Sequence, residues 1–223
     1  MKAVPITYFS DALCVWAYFA QPRIDLIKKT YGDQAPVDHK FCSIFGDTAR
    51  KIPTTWKDKG GYAGFNAHLH HSAKLFPDVK LHPSLWLTVR PASSSSVHLF
   101  LKAVALIDAD GDGSAGAEAL TWAMRRAFFE DGRDIARWQV QCEIGRDAGV
   151  DIALVEACIH DGRAFAALAA DYQDAASSGI QGSPTFVLNE GRQKLYGNIG
   201  FRILDANIQE LIREPQQGQA SWC

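Results

Sequence analysis

Five cysteines, at positions 14, 42, 142, 158 and 223, are the side chains of this 223-residue chain best suited to covalent chemistry. Their number is odd and their spacing wide, and no pair has the separation of a zinc ribbon or of a disulfide-stapled framework. In a reducing compartment a cysteine matters through its thiolate, so its local setting decides what it does. Cys14 has a distinctive setting. Val4 to Phe9 is a short β-rich run, Ser10 and Asp11 are turn or N-cap types, and a helical pattern begins at Leu13. Cys14 is therefore expected in the first turn of a helix, where unsatisfied backbone N–H groups and the positive dipole end favour thiolate over thiol. The competing reading is a small buried hydrophobe. Cys142 and Cys158 lie in Ala-rich helical stretches and are expected in the core. Cys42 ends a second β-like run, and Cys223 follows Trp222 on a Gly- and Gln-containing tail, 215–223.

Other clusters are weaker. His68, His70, His71, His82 and His98 fall in one region, but no cysteine or carboxylate completes a metal set, and 68 and 70 point to different helix faces. The expectation is no metal: these histidines take ordinary surface or core positions, the alternative being that one or two of them line a cleft over Cys14. Asp108-Ala109-Asp110-Gly111-Asp112 resembles the first half of a calcium loop, yet Ala119 stands where the bidentate glutamate is needed. An acidic helix–helix loop is expected instead. Arg125, Arg126, Arg133 and Arg137 are expected on a solvated helix face, with one of them available to clamp a carboxylate.

The elements that must position Cys14 follow from pattern. The first 45 residues are expected to form β-α-β: a strand to Phe9, a helix from Leu13 to Lys29 kinked at Pro22, and a strand from Val37 to Ser43. From Thr48 to Ser178 the chain is Ala-rich, with helices expected at Ala63–Phe76, Ser96–Ile107, Ala115–Phe129, Ile135–Ala148 and Ile152–Ala175. Strand chemistry returns at Pro184–Leu188 and Gln193–Tyr196, a β-hairpin across Asn189–Arg192. A last helix aligns Phe201, Leu204, Ile208, Leu211 and Ile212, and Pro215 ends it.

Hydrophobic residues make up 47% of the chain and charged residues 22%, with a formal net charge of -2. That balance excludes a disordered chain, and argues against nucleic acid as a partner. The longest apolar run, Ala12 to Ala20, is far short of the roughly 20 residues needed to span a bilayer. Asp11 and the single early cation, Lys2, do not suit a signal peptide, so no membrane partner and a cytoplasmic location are expected.

Gly182-Ser183-Pro184 opens the third strand, a position where proline costs no ladder bond. A cis Ser183–Pro184 bond would present the Ser183 backbone to a substrate chain. The element order, Cys14-Val15-Trp16-Ala17 after the first strand, and Gly179-Ile180-Gln181-Gly182-Ser183-Pro184-Thr185-Phe186 before the hairpin resemble the DsbA-like branch of the thioredoxin superfamily. Within it, the chain is similar to FrnE-type and 2-hydroxychromene-2-carboxylate isomerase-like proteins, relatives of the kappa-class glutathione transferases.

The resemblance covers essentially the whole chain. It implies an α/β fold: a thioredoxin-like domain from 1–47 and 178–223, interrupted by an all-helical insertion domain from 48–177. It also implies thiol–disulfide oxidoreductase activity through Cys14, with Trp16, Ser183 and Pro184 meeting the substrate. The pattern departs at one point: Ala17 stands where the redox branch has its second cysteine. A mixed disulfide on Cys14 must then be resolved by glutathione as co-substrate, by Cys42 or by Cys223. No covalently bound cofactor is expected. The expected partners are a protein or small-molecule thiol or disulfide and glutathione, in a monomer or homodimer. Two alternatives stay open: a glutathione-dependent isomerase or transferase with Cys14 in place of serine, and a non-catalytic binding module.

Overall fold

The computed structural model describes residues 3–111 and 116–213. Strand β1 (Ile6–Ser10) leads into helix α1 (Val15–Tyr31), which returns the chain to β2 (Val37–Phe41). β1 and β2 are parallel, with Tyr8 opposite His39 and Ser10 opposite Phe41. This is the expected β-α-β unit. Helix α1 runs unbroken through Pro22, where a kink was expected.

Seven helices follow: α2 (Thr48–Thr55), α3 (Gly61–Ala73), α4 (Ser95–Ala109), α5 (Ala117–Phe129), α6 (Trp138–Asp147), α7 (Ile152–His160) and α8 (Arg163–Ser177). Two differ from expectation. α2 was not anticipated, because Pro53 within it masks its pattern. The single helix expected over 152–175 is two, divided at Gly162, whose φ of 88° is a backbone conformation that suits glycine. The hairpin is as expected, with β3 (Thr185–Leu188) and β4 (Gln193–Tyr196) antiparallel, and α9 (Phe201–Arg213) closes the described chain.

The sheet order is β2-β1-β3-β4, which brings the C-terminal end of β1 beside the start of β3. Alternation along β1 divides its side chains between two faces. Ile6 and Tyr8 pack with Ile24 and Ile27 of α1 and Leu204 and Ile208 of α9. Phe9 packs on the other face with Cys42, Val187 and Ala175 of α8. The last helix before β3 thus covers the sheet, tied to β2 by Phe41 N–H donating to Asp171 at 2.9 Å and by the Lys40–Asp174 ion pair. The largest apolar cluster joins the start of α1 (Val15, Tyr18, Phe19) to α3, α4, α5 and α7. Cys14 therefore stands where the sheet, α1 and the helical block meet.

Candidate active site

Cys14 is the N-cap of α1, with extended φ/ψ of −83° and 116°, and its carbonyl accepts the first helical bonds from Ala17 and Tyr18 N–H. Register places Ser183 beside Asp11: Phe9 pairs with Thr185, and Asp11 N–H donates to Ser183 Oγ at 2.9 Å. The Ser183–Pro184 bond is cis. The Cys14 thiol donates to Ser183 O at 3.1 Å, so the two ends of the site expected from sequence are in contact. The turn before β3 is pinned by Thr185 Oγ1 donating to Gly182 O and by Gly197 N–H donating to Pro184 O.

Burial sets the thiol's electrostatics. Cys14 is only 4% exposed. Desolvation raises its pKa above the usual thiol value, and the Asp11 carboxylate adds to the rise. Hydrogen bonds from Ser183 and from the Ala17 and Trp16 amides act the other way and do not win. This corrects the expectation of a thiolate: the helix N-terminus is present, but burial outweighs it, and Cys14 rests as a thiol donating to a carbonyl.

Asp11 is the organising residue that pattern reading missed. Its buried carboxylate accepts from Leu13 N–H (2.9 Å), Ile44 N–H (3.0 Å), Phe45 N–H (2.8 Å) and Ser94 Oγ (2.8 Å). It thereby fixes the Cys14 loop to the segment after β2 and to the start of α4. His98 is the one histidine of the cluster brought to this loop. Its Nε2 accepts from Ala12 N–H at 3.0 Å, so the proton is on Nδ1, 2.9 Å from Tyr172 Oη. Burial pushes the His98 pKa down to about 4, which keeps the imidazole neutral and able to accept.

Trp16 is half-buried beside Cys14, its ring edge-on to Phe19 at 5.5 Å and to Phe76 at 6.4 Å. Two clefts flank the site. One of about 460 Å³ is lined by Ser43, Ile44, Gly46, Asp47, Arg50 and Lys51, continuous with the segment held by Asp11. Another of about 350 Å³ lies beside the Ser183–Pro184 turn, lined by Ile180, Gln181, Thr185, Lys194 and Tyr196. Gly182 fits closely there: a Cβ would lie 2.0 Å from the Tyr196 ring, an exposed side chain that would have to swing aside.

The remaining expectations divide. Cys42 is buried against Phe9, Ala175 and Val187 on the sheet face away from α1, and burial raises its thiol strongly. Cys142 and Cys158 are buried in the helical core. Cys14, Cys42, Cys142 and Cys158 are all free thiols. Cys223 and Trp222 lie outside the described residues. Arg126, Arg133 and Arg137 are paired with Glu130, Glu143 and Asp134 at the surface. Arg125 breaks the expectation of a solvated face: it is fully buried. Asp108 accepts from Ala117 N–H and so helps start α5. Among the described residues no group of His, Cys, Asp and Glu could hold a metal, and no helix is long and apolar enough to cross a membrane.

Comparison with solved structures agrees with this architecture. A candidate protein disulfide isomerase from Nitrosomonas europaea superposes with a TM-score of 0.74 at 17% identity, covering 94% of this chain and 99% of that one. The cytosolic disulfide reductase DsbM from Pseudomonas aeruginosa, solved with GSH, gives 0.65 at 21% identity, over 92% and 99%. A 2-hydroxychromene-2-carboxylate isomerase gives 0.61 at 18% identity, over 94% and 97%. At these identities the likeness is one of fold. None of the curated proteins matches the sequence. The family model for the DSBA-like thioredoxin domain, however, matches residues 5–209, from the start of β1 into α9. The thiol at the head of α1, the cis-proline turn beside it and that match together place the chain in the family of DSBA-like thioredoxin domains.

Proposed function

We propose that the protein is a thiol–disulfide oxidoreductase of the reducing cytoplasm that works through the single cysteine Cys14 and uses glutathione as its reductant. The observation that carries this reading is the 3.1 Å contact between Cys14 Sγ and Ser183 O on the cis-proline turn. A peptide-like substrate that pairs with the Ser183 backbone competes for that carbonyl and frees the sulfur at the N-terminus of α1. The thiol loses its proton to solvent, and the thiolate attacks one sulfur of the substrate disulfide. For a glutathionyl disulfide, R–S–S–G, the new bond is Cys14–S–S–G and RS⁻ departs to be protonated. The thiolate of a second glutathione then attacks the glutathionyl sulfur, giving oxidised glutathione and restoring Cys14. The net reaction is R–S–S–G + GSH → R–SH + G–S–S–G: one reduced glutathione is consumed, and the substrate's own glutathionyl group supplies the other half of the oxidised product.

Glutathione is favoured over an internal resolving thiol by two features. Ala17 supplies no second thiol one turn on, and Cys42 is buried among Phe9, Ala175 and Val187. The likeness to a GSH-bound disulfide reductase supports the same choice. The test is turnover of a small glutathionyl disulfide with reduced glutathione, coupled to reduction of the oxidised product. Wild type and Cys42→Ala are expected to turn over alike, and Cys14→Ser to be silent. Turnover by folded Cys14→Ser would overturn the reading and favour the isomerase or transferase class, in which a serine serves at this position.

A further inference from the structure

We propose that Arg125, in the interior between α5, α1 and the sheet, binds a small monoatomic anion of the chloride class. The Arg125 side chain is fully buried, and Nη2 donates to Ser10 Oγ at 2.8 Å. Its Nε and Nη1 are buried with no hydrogen-bond partner, and among the described residues no carboxylate forms an ion pair with it. A guanidinium does not shed its proton to escape burial, so an unpaired one is expensive.

Further buried polar groups without partners belong to the same part of the sheet. Tyr8 lies two residues before Ser10 on the same sheet face, and its hydroxyl is also buried without a partner. His39 is opposite Tyr8 in the register, with ring centroids 5.2 Å apart, and its buried Nε2 has no hydrogen-bond partner either. Ser10 Oγ accepts from Arg125, and Ser10 shares its face of β1 with Tyr8, so Arg125 packs against the face that carries Tyr8 and its cross-strand neighbour His39. Burial keeps the Tyr8 proton on, and burial with Arg125 and Lys28 nearby pushes His39 down to about 3, so the ring is neutral.

The carboxylates of the region are already engaged. Asp11 is taken up by three backbone amides and Ser94, and Glu118, 3.6 Å from His39 Nε2, is ion-paired with Lys28. What would complete the cluster is a negative charge that accepts from two guanidinium nitrogens and from Tyr8. Water can accept these bonds but leaves the charge unbalanced. Arg125 and Tyr8 are 0% exposed and Ser10 2%, so the guanidinium is enclosed by protein, which favours a monoatomic anion over a carboxylate or phosphate ester. His39, on edge strand β2 and 20% exposed in its side chain, marks the way in. Such an ion fastens α5 of the helical block to β1, the strand that leads into Asp11 and Cys14.

The probe is bromide, by anomalous diffraction from crystals of the full chain grown in it, paired with thermal unfolding in chloride against gluconate at constant ionic strength. The expected result is a bromide peak within hydrogen-bond distance of Arg125 Nε or Nη1. Melting should rise by about 3–6 °C when chloride exceeds its dissociation constant by about tenfold, and by progressively less for each further increment of chloride. Arg125→Met should flatten the chloride response. Wild-type crystals with only water at Arg125, or a melting temperature indifferent to chloride, would overturn the proposal. The diffraction result stands even if Arg125→Met does not fold.

Discussion

Replacing Asp11 by Asn separates the two roles assigned to this carboxylate, because they predict effects of opposite sign. Asn can keep one oxygen where Oδ2 accepts from Ile44, Phe45 and Ser94, but its NH₂ group then faces the Leu13 amide, a donor against a donor. Loss of one charge-assisted bond and weakening of the others should cost about 3 kcal/mol of stability. The same substitution removes a negative charge that raises the Cys14 pKa. A lower Cys14 pKa raises the thiolate fraction at neutral pH by more than each thiolate loses in nucleophilicity, so the rate at neutral pH should rise. The assay is the pH–rate profile of Cys14 with a small aromatic disulfide, alongside urea unfolding. A lowered Cys14 pKa moves the profile to lower pH and lowers its alkaline plateau, because a less basic thiolate is a weaker nucleophile. Local unfolding would raise the rate at every pH. An unshifted profile in a folded Asp11→Asn variant would refute the electrostatic role, and an unchanged urea midpoint would refute the structural one.

Acid sensitivity should report His98. Its folded pKa of about 4 lies below the ordinary value of 6.5, so the unfolded chain binds the proton more readily, and stability present above pH 6.5 is lost as pH falls toward 4. The loss should be about 3 kcal/mol. His39, held at about 3, adds a share of the same sign, so His98→Gln, which keeps an acceptor for Ala12 N–H, should reduce that slope in urea titrations without abolishing it; an unaltered slope would show that His98 has no part in it. Gly182→Ala should displace the exposed Tyr196 ring from the cis-proline turn, raising KM for disulfide substrates while stability changes by less than about 1 kcal/mol. Unchanged KM would remove that cleft from substrate binding. Gly64→Ala should cost about 2 kcal/mol or more, because its Cβ would fall 1.6 Å from the rigid Lys59 carbonyl oxygen, and a silent outcome in thermal unfolding would contradict that packing.

Much of the scaffold was legible because its signals are short-range. The strand–turn–helix at Phe9 to Leu13 and the hairpin around Asn189–Arg192 are fixed by neighbours in sequence, and so is the head of α1 that carries Cys14. What escaped depends on contacts made at a distance. The Asp11 hub joins amides 33 and 34 residues away and a hydroxyl 83 residues away, and no local pattern marks it. The thiol's raised pKa follows from enclosure by the helical block, which competes with the helix dipole that sequence alone displays. Two misses did leave signals. Asp161-Gly162 offered a break between α7 and α8. Arg125 shares a helix stripe with Thr121, Phe128 and Phe129, all buried, whereas its neighbour Arg126 is turned to solvent.

The central claim is that Cys14 is the nucleophile, and peptide mapping with intact mass tests it most directly. The reduced, folded chain would be treated with oxidised glutathione at a pH high enough to populate the thiolate. The account predicts one glutathione adduct, on Cys14, formed faster as pH rises, with Cys42, Cys142 and Cys158 unmodified in their buried sites. First modification at another cysteine, or a folded chain in which Cys14 stays unmodified, would contradict it.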